Sequence, residues 1–303
     1  ELPVALFDSG LGGISVLRET VRELPHEDWL YFGDSLHAPY GVKPVEEVIR
    51  LCRQNVDMLL QRGIKALVIA CNTATSAAAG VLREEYPQLP IIGTEPALKP
   101  AVERHPGGRI LVMATAMTLA EKKFEDLRRH YQHEAQILPL ACSGLMEFVE
   151  RGELSGAELD GYLCEKLAPY LRQPLDAIVL GCTHYPFLTG AIRAVVGSEP
   201  EILDGSHGIA AQLRRRLTQE QLLNDRQGRG SVTFLNSLDD PEILTRGERL
   251  LALGAAEVIE DVRTAEGPFD VVVYFDSLHD LGDPPAALRA AYDALADGGI
   301  LVA

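Results

Sequence analysis

Two cysteines end apolar runs of the kind that form buried strands. Leu67-Val-Ile-Ala-Cys71 continues into Asn72-Thr73-Ala74-Thr75, and Ala177-Ile-Val-Leu-Gly-Cys182 continues into Thr183-His184-Tyr185-Pro186. A cysteine that only packs belongs within the strand. These two stop it, and the Asn and Thr side chains behind them are costly to bury without hydrogen-bond partners. A thiol near its ordinary pKa of ~8.5 can act as a nucleophile or, as thiolate, as a base. His184, two residues past Cys182, is placed to hold that thiol or lower its pKa, although a histidine standing alone is more often structural. Hydrolysis through a cysteine needs one Cys, one His and one oxyanion hole. Two like thiols in two like settings suit a reaction with two equivalent faces: one removes a proton from a stereocentre while the other returns a proton to the opposite face. One then starts as thiolate and the other as thiol, and reversing the substrate's chirality swaps the roles.

Asp8 is the only ionisable group of the turn Asp8-Ser9-Gly10-Leu11-Gly12-Gly13; its plainer role is capping the turn or the helix that follows. Glu150, before Arg151-Gly152, reads on its own as a solvated acid at a helix end. Cys52 lies on an apolar stripe with Val45, Val48, Ile49, Val56, Leu59 and Leu60, the spacing of a core-facing helix. Cys142 and Cys164 lack polar neighbours of the Asn-Thr or Thr-His kind and read as structural. The other histidines (His26, His37, His105, His130, His133, His207 and His279) show no paired spacing, and no CxxC occurs, so no metal site is expected.

Positioning such residues requires strand ends. Val4-Ala-Leu-Phe leads into the glycine-rich turn and an amphipathic helix, an arrangement that presents backbone N–H groups to an anion. The turn is neither GxGxxG nor followed by GK[ST], so a small carboxylate fits it better than a nucleotide. Strand, loop and helix then repeat through residue 95 and restart at Arg109-Ile-Leu-Val-Met-Ala. Such repetition implies an α/β fold of two similar parallel-sheet domains. Ligands of open parallel sheets bind beyond the carboxyl ends of the strands, which puts the expected site between the two sets, under both thiols.

The 303 residues carry a net charge of −16, which argues against nucleic acid as a partner. No run of ~18 apolar residues suggests a membrane span. The start, Glu1-Leu-Pro-Val, lacks a signal peptide's basic region and reads as trimmed, and five cysteines favour free thiols; both point to the cytoplasm. Residues 255–303 hold ten acids and two arginines, a net of −8, equal to the charge of all the rest. That asymmetry marks the tail as a different kind of sequence.

Asp8-Ser-Gly-Leu-Gly-Gly13, Tyr31-Phe-Gly-Asp-Ser35 with Ala38-Pro-Tyr-Gly41, Ala70-Cys-Asn-Thr-Ala-Thr75, Pro96-Ala-Leu-Lys-Pro-Ala101 and Gly181-Cys-Thr-His-Tyr-Pro186 together resemble the glutamate racemases, cofactor-independent members of the aspartate/glutamate racemases. The resemblance covers roughly residues 1–262. It implies a first α/β domain of residues 1–95 plus 208–262, a second of residues 96–207, and the active site between them. It implies interconversion of L- and D-glutamate without a cofactor, supplying D-glutamate for peptidoglycan, and commonly a homodimer. By the same resemblance Cys71 takes the α-proton from D-glutamate with the help of Asp8. Cys182 takes it from L-glutamate, helped by His184 and Glu150. Ser9, Pro39, Tyr40, Gly41, Asn72, Thr73, Thr115, Thr118 and Thr183 are implied to bind substrate. A racemase for aspartate or another acidic amino acid, or a non-catalytic amino-acid-binding protein of this fold, are the alternatives.

The resemblance stops before residues 263–303. There Phe269-Asp-Val-Val-Val, then 284–297, then Gly298-Gly-Ile-Leu-Val-Ala303 read as strand, helix and strand, resembling the middle of an S-adenosylmethionine-dependent methyltransferase. The glycine-rich loop that would bind that cofactor is absent, so no methyltransferase activity is expected of the tail.

Overall fold

A computed structural model describes residues 2–253 and the backbone of two further strands, 269–273 and 295–302. Nine strands come first: β1 Val4–Asp8, β2 Trp29–Gly33, β3 Ala66–Ile69, β4 Ile91–Gly93, β5 Arg109–Ala114, β6 Gln136–Ala141, β7 Ala177–Leu180, β8 Glu201–Asp204 and β9 Val232–Asn236. They form two sheets, β4-β3-β1-β2-β9 and β6-β5-β7-β8, and every pairing is parallel. Two parallel-sheet α/β domains are therefore observed, as the repeated strand–loop–helix grammar implies.

The central strands are covered on both faces, so β1, β3 and β7 are buried at every position and apolar except for Asp8, whose carboxylate is buried with them. Around β1 and β3 the first lobe packs Phe7, Leu51, Val56, Leu59, Leu67 and Leu82 against the helices Val45–Gln61 and Asn72–Glu85. Cys52 is fully buried in that cluster, as its place on the apolar stripe requires. The second lobe has its own cluster around Ile110, Val112 and Val179, against Leu98, Val102 and Phe124. Cys142 is buried, but Cys164 is exposed. The helix Ala157–Leu167 turns Leu159, Leu163 and Leu167 inward, and the residue after Leu163 is rotated ~100° away from that stripe. Cys164 thus has no structural role as a core thiol.

The chain crosses between lobes after β4 and again after β8. The crossings touch: a Cβ on Gly205 would lie 2.6 Å from the Glu95 carbonyl oxygen, so glycine permits the approach. The helix Ser206–Gln219 then returns to pack on the helix Ile14–Glu23 of the first lobe.

The chain divides into compact units after Leu244. In the second unit, Phe269–Val273 and Leu295–Val302 pair in parallel, with Phe269 opposite Leu295 and Val273 opposite Val302. The second strand begins at Leu295 rather than Gly298, because Leu295 already takes a ladder position where the sequence suggested a helix end. The body of the expected helix at 284–297 and the expected boundary at 262 lie outside the described residues. No helix among the described residues is long and apolar enough to cross a membrane.

Candidate active site

The carboxyl ends of β1, β3, β5 and β7 deliver Asp8, Cys71, Thr115 and Cys182 to one seam between the lobes. Cys71 is the N-cap of Asn72–Glu85; its Sγ accepts the Ala74 amide at 3.4 Å and lies 3.6 Å from Ser9 Oγ. A helix N-terminus favours negative charge at that sulfur. Burial acts the other way and is the larger influence; with the nearby Asp8 charge it pushes the Cys71 thiol up to about 12.

Cys182 has different company. Its Sγ is 3.7 Å from His184 Nδ1, and His184 Nε2 is 2.6 Å from Glu150 Oε1. His184 is buried, which opposes its charge, yet the hydrogen bonds to Cys182 and Glu150 prevail and raise its pKa well above the ordinary histidine value. Thiol, imidazole and carboxylate form one continuous relay. Glu150 reaches it from the last turn of the helix Leu145–Arg151, which Gly152 ends in a left-handed conformation at φ 79°.

Asp8 makes the local turn bond expected of it and a second bond across the seam. Its Oδ1 accepts the Gly10 amide at 2.9 Å, a local turn bond, while its Oδ2 accepts from Thr183 Oγ1 at 3.0 Å in the other lobe. Complete burial raises its pKa, against the lowering influence of His184. The glycine-rich turn fits a carboxylate, but the carboxylate it meets here is the protein's own: the Leu11 amide donates to Glu150 Oε1 at 2.7 Å.

The glycines of that turn answer to close approach. A Cβ on Gly10 would stand 2.1 Å from Glu150 Oε1, and one on Gly12 2.3 Å from His184 Nδ1. Gly41 stands against Thr115 in the same way, at 3.3 Å from its Cβ. Thr73 Oγ1 lies 3.3 Å from Thr115 Oγ1, which caps the short helix Ala116–Ala120 by accepting the Thr118 amide and donates to Thr118 Oγ1 at 2.9 Å. Asn72, Cys182 and Thr183 line a common cavity of about 10 Å³, and Asn72 Oδ1 is buried there without a hydrogen-bond partner.

The structure thus gathers Asp8, Ser9, Cys71, Asn72, Thr73, Thr115, Thr118, Glu150, Cys182, Thr183 and His184 along one seam. Tyr40 differs from the rest: its side chain is buried in the first lobe, where its hydroxyl donates to Asp34 Oδ2 at 2.5 Å and accepts from Asn55 Nδ2 at 3.1 Å. The turn Tyr40–Val42 itself packs beside Ala116–Ala120. Leu11 contributes an amide of the turn expected to present N–H groups to an anion, but its residue type does not single it out, and nothing along the chain marks Asp34, which anchors the Tyr40 hydroxyl in the core. No group of three or more His, Cys, Asp or Glu side chains among the described residues could hold a metal ion.

Known proteins similar to this chain are racemases over most of its length. The family model described as Asp/Glu/Hydantoin racemase matches residues 13–213, and one described as a methyltransferase domain matches residues 240–303. The chain is 47% identical over 251 residues to a glutamate racemase of Clostridium perfringens, covering 83% of this chain and 96% of that one. Glutamate racemase from Thermus thermophilus, solved with β-chloro-D-alanine, superposes with a TM-score of 0.68 at 35% identity, over 82% of this chain and 93% of that one. The Escherichia coli enzyme, solved with L-glutamate and the activator UDP-MurNAc-Ala, gives 0.72 at 29% identity, over 83% and 93%.

Proposed function

The chain belongs to the glutamate racemase family, and from that premise we propose that it interconverts L- and D-glutamate by moving one proton on and one proton off Cα through Cys71 and Cys182. The observation that carries this reading is the pairing of two unlike thiols across one seam: Cys71 capping a helix beside Asp8, Cys182 heading the relay to His184 and Glu150.

With L-glutamate, the Cys182 thiolate takes the α-proton and the Cys71 thiol gives its proton to the opposite face. One C–H bond breaks as one S–H bond forms, and the reverse exchange occurs on the other side, with no net redox change. The raised pKa of Cys71 suits the donor role in this direction. With D-glutamate the roles reverse, and the incoming ammonium group favours the Cys71 thiolate. His184, held charged by Glu150, stabilises the Cys182 thiolate, and Asp8 orders the Cys71 side. Asn72 Oδ1, a buried acceptor, suits the ammonium group. Ser9, Thr73, Thr115, Thr118 and Thr183, with the Tyr40 and Gly41 amides that follow Pro39, supply donors for the carboxylates. These fixed donors in a water-poor seam lower the barrier to a carbanion-like transition state.

With both thiols buried, an amino acid reaches the sulfurs when the lobes part and reacts when they close. Among the described residues, the bodies proposed to move are residues 2–95 with 208–244 and residues 96–207; residues 254–262 of the expected first domain lie outside the described residues. Membership of the family supports the proposal that it works in the cytoplasm and supplies D-glutamate for peptidoglycan. A homodimer is proposed on the exposed Leu36 and Val42, 57% and 79% accessible beside the Pro39–Gly41 loop, and light scattering would test it.

Deuterium wash-in at Cα in D2O tests the reaction. Exchange with both glutamate enantiomers, together with decaying optical rotation, is expected. Glutamate that binds but retains its α-proton would defeat the proposal, and faster exchange with aspartate would move it to another substrate.

A further inference from the structure

Ser15 has no place in the chemistry above. It stands in the first turn of the helix Ile14–Glu23 and is 6% exposed. Its hydroxyl faces two carbonyl oxygens: that of Gly12, 2.9 Å away in its own turn, and that of Thr183, 2.8 Å away in the other lobe. A hydroxyl carries a single proton, so it serves both acceptors by sharing or by turning between them. Thr183 is the residue between Cys182 and His184, and Ser15 lines the same small cavity as Cys182 and Thr183.

We propose that Ser15 is a positioning residue: closed, its hydroxyl grips the Thr183 carbonyl and sets the Cys182–His184 arm against the first lobe; open, it falls back on the Gly12 carbonyl. The two-acceptor arrangement has a physical consequence. A buried donor left without a partner is costly, and here the donor has one in either state, so the lobes can part without stranding it. The other hydrogen bonds that tie this arm to the glycine-rich turn run through groups assigned to the chemistry, from Thr183 to Asp8 and from Leu11 to Glu150. Ser15 contacts no reacting atom. A purely local role, bracing the helix start, would use the Gly12 carbonyl alone and leave the Thr183 contact unexplained.

The inference rests on the racemase reading and is tested with it. Ser15→Ala and Ser15→Thr are compared with wild type in both directions, using protiated and α-deuterated glutamate. Loss of the hydroxyl is expected to lower kcat/KM about tenfold, the equivalent of one hydrogen bond. The fall must be equal in both directions because the enantiomers are equally stable. The α-deuterium isotope effect should rise more from L-glutamate, whose proton Cys182 takes, than from D-glutamate. Ser15→Thr, which keeps the hydroxyl, should recover most of the activity. Isotope effects that rise equally, wild-type kinetics in Ser15→Ala, or a threonine variant no better than alanine would each overturn the role. If Ser15→Ala fails to fold, Ser15→Cys replaces it, with similar volume and a weak donor. Wild type that fails to racemise would instead refute the racemase reading.

Discussion

Glu150 Oε1 lies 2.6 Å from His184 Nε2, and the same oxygen accepts the Leu11 amide from the opposite lobe at 2.7 Å. The charge that supports the Cys182 relay is therefore oriented by lobe closure. Glu150→Gln keeps the shape and removes the charge. Since Glu150 helps to raise the His184 pKa, its loss should lower that pKa. A pKa raised by folding contributes stability below the unfolded value of ~6.5, and that contribution disappears as pH climbs through the folded value. The alkaline limb of the pH–rate profile should accordingly move to lower pH in Glu150→Gln, with kcat reduced about 10- to 100-fold. An unmoved limb would show that His184 does not depend on this carboxylate.

Each thiol should be indispensable. A serine hydroxyl is too weak an acid to stand in for a thiol as base near neutral pH, so Cys71→Ser and Cys182→Ser should each lose about 10²- to 10⁴-fold in racemisation. Circular dichroism should show the fold retained. Near-wild-type turnover in either variant rules out the two-base scheme. Cys52→Ser, in the core of the first lobe, should affect stability more than chemistry.

Gly10→Ala separates activity from stability. The added Cβ would meet the end of the Glu150 side chain at 2.1 Å. A flexible carboxylate can swing aside at little cost in folding, but in doing so it leaves His184 and the Leu11 amide. We expect kcat to fall at least about tenfold while the thermal midpoint stays close to wild type. The opposite pattern, a lowered thermal midpoint with kcat close to wild type, would place the strain in the backbone.

Far from the seam, Lys65 Nζ pairs with Glu27 Oε2 at 2.6 Å, with side chains 8% and 2% exposed. Lys65 also donates to the Leu222 carbonyl and to Asn224 Oδ1, and Glu27 Oε1 accepts the Asn224 amide, so the pair ties residues 222–224 to the first sheet. Lys65→Met would strand a buried carboxylate, a loss of about 3–5 kcal/mol. Urea denaturation should register it with KM for glutamate unchanged. A shift below ~1 kcal/mol would mean that Glu27 finds water or a proton once its partner is gone.

Much of this protein can be read along the chain. Apolar runs that stop at Cys71 and Cys182, with polar residues that resist burial just beyond, mark strand ends and a two-thiol site, because strand burial and side-chain polarity are local properties. The same locality limits what can be read. Cys164 looks like any structural cysteine until the helix Ala157–Leu167 is oriented by its leucines. For Tyr40 the chain order does not show which part of the residue is free: the hydroxyl is held by Asp34 in the core, which leaves the backbone for the proposed contact with substrate.

What tertiary structure alone decided is which groups meet across the seam. Leu11 and Glu150 are 139 positions apart, and Ser15 and Thr183 are 168; no periodicity links them. Gly10 and Gly12 suggest a flexible anion-binding turn in sequence, whereas in the fold they are small so that Glu150 and His184 can approach. Sequence determines which side chains stand at the strand ends, since the backbone period is short. The packing of one sheet's lobe on the other determines their distances, and with them burial, charge coupling and the division of labour between Cys71 and Cys182.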